Sequence, residues 1–433
     1  MEFEKIDWPL DGYEDVIIPK MMKIKQRFDS AALENPVEHL KTRIDEAYSK
    51  GAVRPLKGKR IGITAGSRGI SNYKEIMRAI VEKLKQYGAD PFIFPAMGSH
   101  AGGTAEAQKA YLEEMGITEE YVGAPILSSM ESVSIGTQQE GLPVYFDKYA
   151  SEADGIVLFH KVKPHPNFKG KHESGLLKMI CIGAGKKKGA ATFHTQGFEN
   201  MDENMVKVSK VFLEKVNVVF AVGLVENARH AIARIEVIKA EEVIEKDAEL
   251  LAFARTQMPK LLVRDIDVLV IDEIGKEISG AGFDPNIHGR VCETDETEFR
   301  AGAPDIKRIV LLDITDQTHG CASTMGAADI ISLRFANKID FASTYTNLMT
   351  SKLPTGARMP VYANDDRHAI KLGIISAFHA DISNPKIVRI KNTLSMDEIE
   401  VSVAYLEELK NSPGIEIQSE PYELKFNKND DLW

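Results

Sequence analysis

Cysteine and tryptophan are scarce in this 433-residue chain, with three of the first and two of the second. Cys181, Cys292 and Cys321 lie far apart and no CxxC pair occurs. That excludes a disulfide framework and a zinc-ribbon pattern, and it fits a reducing cytoplasm. No apolar run reaches the ~18 residues of a membrane span. The opening MEFEKIDWPLDGYEDVIIP is acidic and lacks an apolar stretch of signal-peptide length. A cytoplasmic protein with no membrane partner is therefore expected. Positive charge is not in excess either: the net charge is −10. That argues against a general affinity for nucleic acid, because a phosphate backbone rewards a basic face, and leaves room for a local basic pocket. Neither GxxxxGK[ST] nor GxGxxG occurs, so P-loop and dinucleotide fingerprints are absent. There is no HExxH and no cysteine beside a histidine pair, and so no ready-made zinc site. Internal repeats and low-complexity segments are missing as well.

What remains is globular in composition, 43% apolar and 27% charged. The length suits two or three domains. After an extended opening and a helix over 36–50, short apolar strands at 59–64, 91–96, 155–160 and 216–225 alternate with helical patterns at 72–87 and 105–115. Residues 232–240 read as a hairpin partner of the fourth strand. A second series begins with strands at 266–275 and 306–315. Helices are expected at 322–335, 341–350, 367–377 and 396–410, and a late strand at 385–390. This rhythm predicts an α/β protein of two domains, each with a mainly parallel sheet flanked by helices. The boundary falls near 255–265, giving domains 1–260 and 261–433. The last residues read as an exposed tail or one that returns to the first domain.

In open α/β sheets ligands bind beyond the C-terminal strand ends, and four stretches fall there. TAGSRGIS (64–71) offers Gly66 and Gly69 for tight turns, Ser67 as a hydroxyl, Ser71 as a helix cap and Arg68 as a bidentate anion partner. It reads equally as an ordinary strand–turn–helix joint. MGSHAGGT (97–104) sets His100 among small residues, a suitable place for a general base or for a histidine facing water. Residues 160–194, HKVKPHPNFKGKHESGLLKMICIGAGKKKGAATFH, hold four of the chain's 11 histidines. Within them His165 follows a proline that keeps its backbone extended. ESGLLKMICIG is a short helix carrying Lys178, and GAGKKKG is a flexible basic loop, for an anion or simply solvated. His194 follows, 16 residues past Lys178. His160 ends a strand as a core histidine, and His172 is expected to be exposed. The fourth stretch, 275–290, carries Lys276.

These pieces resemble the nickel-dependent lactate racemase family. The matching motifs are TAGSRGI with Arg68, GSHAGGT with His100, KPHPNFKG with His165, SGLLK with Lys178, and the later His194, in the family's order over roughly residues 55–300. The resemblance implies an α/β two-domain enzyme with its active site in the interdomain cleft. It implies a nickel-pincer nucleotide, a pyridinium mononucleotide whose two thiocarboxyl groups clamp nickel. His194 would be the protein's nickel ligand and Lys178 the residue that tethers the cofactor. His100 and His165 would be the acid/base pair. Arg68, with Ser67, Gly66 and Gly69, would hold the anion of cofactor or substrate, and Lys276 would assist. The implied activity is racemisation or epimerisation of a 2-hydroxy acid by reversible hydride transfer, in a protein loaded by cofactor-biosynthesis enzymes. Three departures mark a divergent subgroup: Ala65 where an acidic residue is usual, SGLLK where SGGxK is usual, and three extra residues between His165 and Lys178. They suit a larger substrate such as an aldonic acid. Two other classes stay open, a cofactor carrier without turnover and a metal-dependent hydrolase or lyase.

Overall fold

The computed structural model of the chain describes residues 2–432 apart from 52, 54, 68 and 411. It divides into two compact units, Asp29–Met258, and Met1–Phe28 together with Pro259–Trp433.

The Asp29–Met258 unit is built on five strands. They lie in the order Asp90–Pro95, Arg60–Ala65, Gly155–Lys161, Val218–Glu226 and Ile232–Ile238. The first four run parallel and the last pairs antiparallel, as a hairpin partner must. Side chains alternate between two cores, as the pleat requires. Ile61, Ile63, Ile93, Val157 and Phe159 face one way, onto Leu40, Ile76, Ile80 and Leu84 of the helices Pro36–Ser49 and Tyr73–Gln86. Phe92, Phe94, Ile156 and Leu158 face the other, onto Phe146, Phe212, Leu176 and Leu250. Gly62 is a glycine for a packing reason: a Cβ there would stand 2.9 Å from the Phe92 ring. A two-stranded hairpin, Ser132–Thr137 with Pro143–Asp147, completes the unit. Its first strand is short and mostly polar, so it gives little periodic signal.

The second unit holds an eight-stranded sheet. Its order is Val361–Ala363, Ile330–Ser332, Asp305–Leu311, Asp265–Ile271, Ile387–Ile390, Glu398–Ser402, Met21–Gln26, Ile415–Ile417. The first five strands are parallel and the last three pair antiparallel. Helix Asp366–Ser376 lies close against the sheet at Gly373, where a Cβ would be 2.9 Å from Val268. Both units are thus α/β, with mainly parallel sheets flanked by helices.

Several expectations are corrected here. Residues 1–28 belong with 259–433, not with a domain 1–260. Strand Met21–Gln26 is sandwiched between two partners, Ile24 opposing both Ile399 and Ile417. Six residues paired with segments nearly four hundred positions away leave no local signal. The expected helix at 322–335 contains strand Ile330–Ser332 instead, and that at 396–410 contains strand Glu398–Ser402. In the latter, the alternation Ile399, Val401 is a strand period, and pairing on both sides, with Ile387–Ile390 and Met21–Gln26, selects it. The tail is not exposed throughout, nor does it join the first unit. The Leu432 N–H donates to Asp366 Oδ2 at 2.9 Å, and Tyr422, Leu424 and Phe426 pack against the same core as Trp8 and Tyr13.

Removing residues 1–28 therefore takes an inner strand from the second sheet, not from the first. Hydrogen exchange on the truncated protein should show faster exchange in the strands Glu398–Ser402 and Ile415–Ile417, with slow amides kept in Arg60–Ala65 and Gly155–Lys161. Equal loosening of both sheets would contradict this division.

Candidate active site

The loop after strand Arg60–Ala65 is tied down by its carbonyls. Tyr73 Oη donates to Gly66 O at 3.0 Å, Tyr111 Oη to Ser67 O at 2.8 Å, and Lys161 Nζ to Gly69 O at 2.7 Å. Gly66 must lack a side chain, since a Cβ there would meet the His160 ring and the Met179 methyl at 3.1 Å. His160 is therefore buried beneath this loop, as a core histidine. Gly69 faces open space. Arg68 lies outside the described residues. Ser71 does not cap the following helix. Its N–H donates to Glu226 Oε1 at 2.7 Å, and Glu226 also takes Lys161 Nζ at 2.9 Å. The Glu226 carboxylate thus lies at the positive end of helix Tyr73–Gln86.

His100 follows strand Asp90–Pro95, the edge neighbour of Arg60–Ala65. Its Nδ1 is hydrogen-bonded to Ser67 Oγ, which joins the two loops. The loop turns through left-handed Gly98, Gly102 and Gly103, with φ of 59°, 68° and 65°. Gln108 Nε2 holds the Gly98 and His100 carbonyls at 3.1 and 3.2 Å. His100 itself is exposed.

The third loop follows strand Gly155–Lys161, on the other side of Arg60–Ala65. It closes through paired main-chain bonds between Lys163 and Ser174, at 2.8 and 3.2 Å. His165 is buried on it, and its ring lies 4.4 Å from that of Phe168. Phe168 is 6.2 Å from Phe198, and Phe198 is 6.3 Å from His194. His165 and His194 thus border one pair of phenylalanines. His172 is not exposed: it is buried, with Nδ1 2.9 Å from Asp247 Oδ2. Lys178 ends the short helix Leu176–Lys178, which runs into a wide turn, Met179–Gly183.

The stretch expected as a flexible basic loop is the wide turn's end and the first turns of helix Lys186–His194, whose last residue is His194. This helix lies on the His100 loop. A Cβ on Gly98 would be 3.4 Å from Ala190 Cβ, and one on Gly103 would be 3.6 Å from Lys187 Cδ. Lys186 is left-handed, with φ 58°, and fully buried. Its Nζ sits 2.9 Å from the buried Asp147 carboxylate and donates to Pro95 O at 2.5 Å, at the base of the His100 loop. Burial pushes the Asp147 carboxyl up and the Lys186 ammonium down, each opposed by the partner's charge. Lys276 belongs to the second unit, where its N–H donates to Thr318 Oγ1 at 3.2 Å.

Reading the chain alone missed Lys161, Glu226, Glu173, Asp247 and the Lys186–Asp147 pair. Glu226 had a usable signal, as an acidic residue closing an otherwise apolar strand. Asp247 had none, since it sits inside an ordinary amphipathic helix.

Loops that carry histidine, serine and glycine cluster at one edge of a parallel sheet in an α/β protein, the edge at which such folds bind ligands. Residues 29–205 match the family described as the lactate racemase N-terminal domain. Among solved structures the chain is similar to the lactate racemase apoprotein from Thermoanaerobacterium thermosaccharolyticum. That likeness has a TM-score of 0.52 at 15% identity, over 87% of this chain and 99% of that one. It also matches a protein from Thermotoga maritima, with a TM-score of 0.46 at 13% identity, over 82% of this chain and 97% of the other. No curated protein matches the chain.

Lys186→Ala would strand a fully buried Asp147 carboxylate. Breaking a buried pair in this way costs about 3–5 kcal/mol. Urea unfolding should show that loss, and Lys186→Ala with Asp147→Ala together should recover part of it. A single substitution that leaves the midpoint unchanged would mean the pair adds nothing to stability.

Proposed function

We propose that the protein is an isomerase that racemises or epimerises a 2-hydroxy acid with the help of a nickel-pincer nucleotide. The observation that carries this reading is the sheet order. His100 and His165 leave the C-terminal ends of the two strands that flank Arg60–Ala65. Neighbouring strands are about 4.8 Å apart, so the two ends are on the order of 10 Å apart. A small hydroxy acid held over the central loop would lie between two imidazoles that reach in from either side.

The donor set fits such a cofactor. Among the described residues no group of three or more His, Cys, Asp or Glu side chains is placed to hold a metal ion. A nickel ion here would need donors that the chain does not group together, and a nucleotide that clamps it with its own thiocarboxyl groups needs one protein ligand. We assign that ligand to His194, half-buried at a helix end. Lys178, 16 residues earlier in the chain, is assigned as the tether. Ser67, Arg68 and the Gly66 and Gly69 backbone are assigned to an anionic group. When bound, the cofactor supplies a place for the hydrogen on C2 to go as hydride and return.

The chain's own residues then handle protons and orientation. The C2 hydrogen of a 2-hydroxy acid is barely acidic, so direct removal as a proton is unfavourable. One histidine takes the hydroxyl proton while the other, on the opposite side, returns one to the planar keto acid after it turns. Imidazole serves because its ordinary pKa of ~6.5 makes both forms accessible near neutrality. The Ser67 hydroxyl, hydrogen-bonded to His100 Nδ1, orients that ring.

Protein from a cofactor-producing host should contain nickel, and His194→Ala should lose it while remaining folded; unchanged nickel would remove His194 from the site. Its intact mass should exceed the polypeptide mass by one cofactor, and Lys178→Ala should abolish that adduct. His100→Ala and His165→Ala should each cost on the order of 10²–10⁴ in rate, in both directions. Substrate carrying deuterium on C2 should keep much of its label in the product. Complete washout into solvent at every turnover would establish proton abstraction at carbon and sink the hydride reading.

A further inference from the structure

Two buried carboxylates that the proposed chemistry does not use hold the loop between His165 and Lys178: Glu173 on the loop itself and Asp247 on helix Val243–Gln257. Glu173 is buried. Its Oε2 accepts the His165 N–H at 2.5 Å, and its Oε1 accepts the Gly170 N–H at 3.3 Å and Arg255 Nη2 at 2.6 Å. The same Arg255 nitrogen donates to Gly170 O at 2.6 Å. Asp247 is buried as well. Its Oδ1 accepts the Leu176 N–H at 2.6 Å and its Oδ2 contacts His172 Nδ1 at 2.9 Å. Gly175 is shaped to this carboxylate, since a Cβ there would overlap Asp247 Oδ1 at 2.2 Å. Asp247 and Arg255 both belong to helix Val243–Gln257, about two turns apart.

We propose that Glu173 and Asp247 form a two-armed carboxylate clamp. Glu173, braced by Arg255, positions His165; Asp247 positions the helix that carries Lys178. This assignment of positioning residues rests on the roles given above to His165 and Lys178. The physical case is that a carboxylate buried without partners is costly; Glu173 is satisfied by two main-chain N–H groups and Arg255, and Asp247 by the Leu176 N–H and the His172 ring. Charge-assisted bonds of this kind are roughly twice as strong as neutral ones. The bonds hold the main chain of an irregular loop, where no ladder does so. They hold it at two separate points, so the base and the tether are set independently from one rigid helix.

The test uses full-length Glu173→Gln, Arg255→Ala and Asp247→Asn, with amide shifts and exchange rates read by NMR at His165 and Leu176. Arg255 is partly exposed, so its loss is tolerated if Glu173→Gln fails to fold. Glu173→Gln and Arg255→Ala should move the His165 amide upfield and speed its exchange, leaving Leu176 unchanged. Asp247→Asn should do the reverse and lower the yield of the Lys178 adduct. In cofactor-loaded protein the Glu173 and Arg255 variants should lose kcat by up to about 10²-fold, the scale of a misplaced reacting group, with KM and nickel content held. If both amides respond together in every variant, or if His165 is indifferent to Glu173, the clamp is wrong. If the amides separate as expected but no 2-hydroxy acid is turned over, the clamp stands and the isomerase reading fails.

Discussion

Parallel pairing is the constraint on which the site depends. Strands that run the same way must end on the same edge, and their connections must cross back over a face of the sheet. In the Asp29–Met258 unit this brings the ends of four strands, and the loops that follow three of them, to one edge, although they are separated by up to 160 residues of chain. The alternation of apolar side chains fixes the register on both faces, because a one-residue slip would turn Phe92 and Phe94 out of one core and Ile93 out of the other. Once the register is fixed, the loop positions are fixed too. The Ser67–His100 bond and the Lys161–Glu226–Ser71 group are consequences of that edge.

Much of this was legible in the chain. The strands at 59–64, 91–96, 155–160 and 216–225 fall where their apolar runs place them, within a residue or two. Their loops were recognisable from glycine and histidine placed where a strand stops. What the chain did not disclose is cooperation at a distance. Strand Met21–Gln26 has the composition of a charged linker and becomes a strand through partners at 398–402 and 415–417. Lys186 sits in a run of three lysines that composition alone assigns to solvent. Its burial follows from a left-handed backbone and from a carboxylate at Asp147, which no spacing rule connects to it. His172 was expected in solvent for the same reason, and Asp247 draws it inside.

The glycines divide in a way that clarifies the motifs. Gly98, Gly102 and Gly103 are needed for backbone conformation, because a left-handed turn is strained for other residues. Gly66 and Gly175 have ordinary conformations and are needed for space, one against the His160 ring and one against the Asp247 carboxylate. A motif read as letters treats these alike. Substituting alanine at Gly98 strains the backbone, whereas at Gly175 it drives a carboxylate away from the N–H group it serves.

The charge distribution joins these observations. A chain of net charge −10 carries its densest basic stretch at 160–194, with Lys187 and Lys188 exposed on it. Glu226, Glu173, Asp247 and Asp147 lie around that stretch. Each is turned inward to a main-chain N–H, and each also meets a cationic or ionisable partner: Lys161, Arg255, His172 and Lys186 in turn. Carboxylates placed this way hold the loops from within, and their charge is matched locally rather than projected outward. A negative net charge is therefore compatible with a strand-end edge that is not itself acidic. The physical requirement is that acidic groups near the edge have partners of their own, and in this unit these four do.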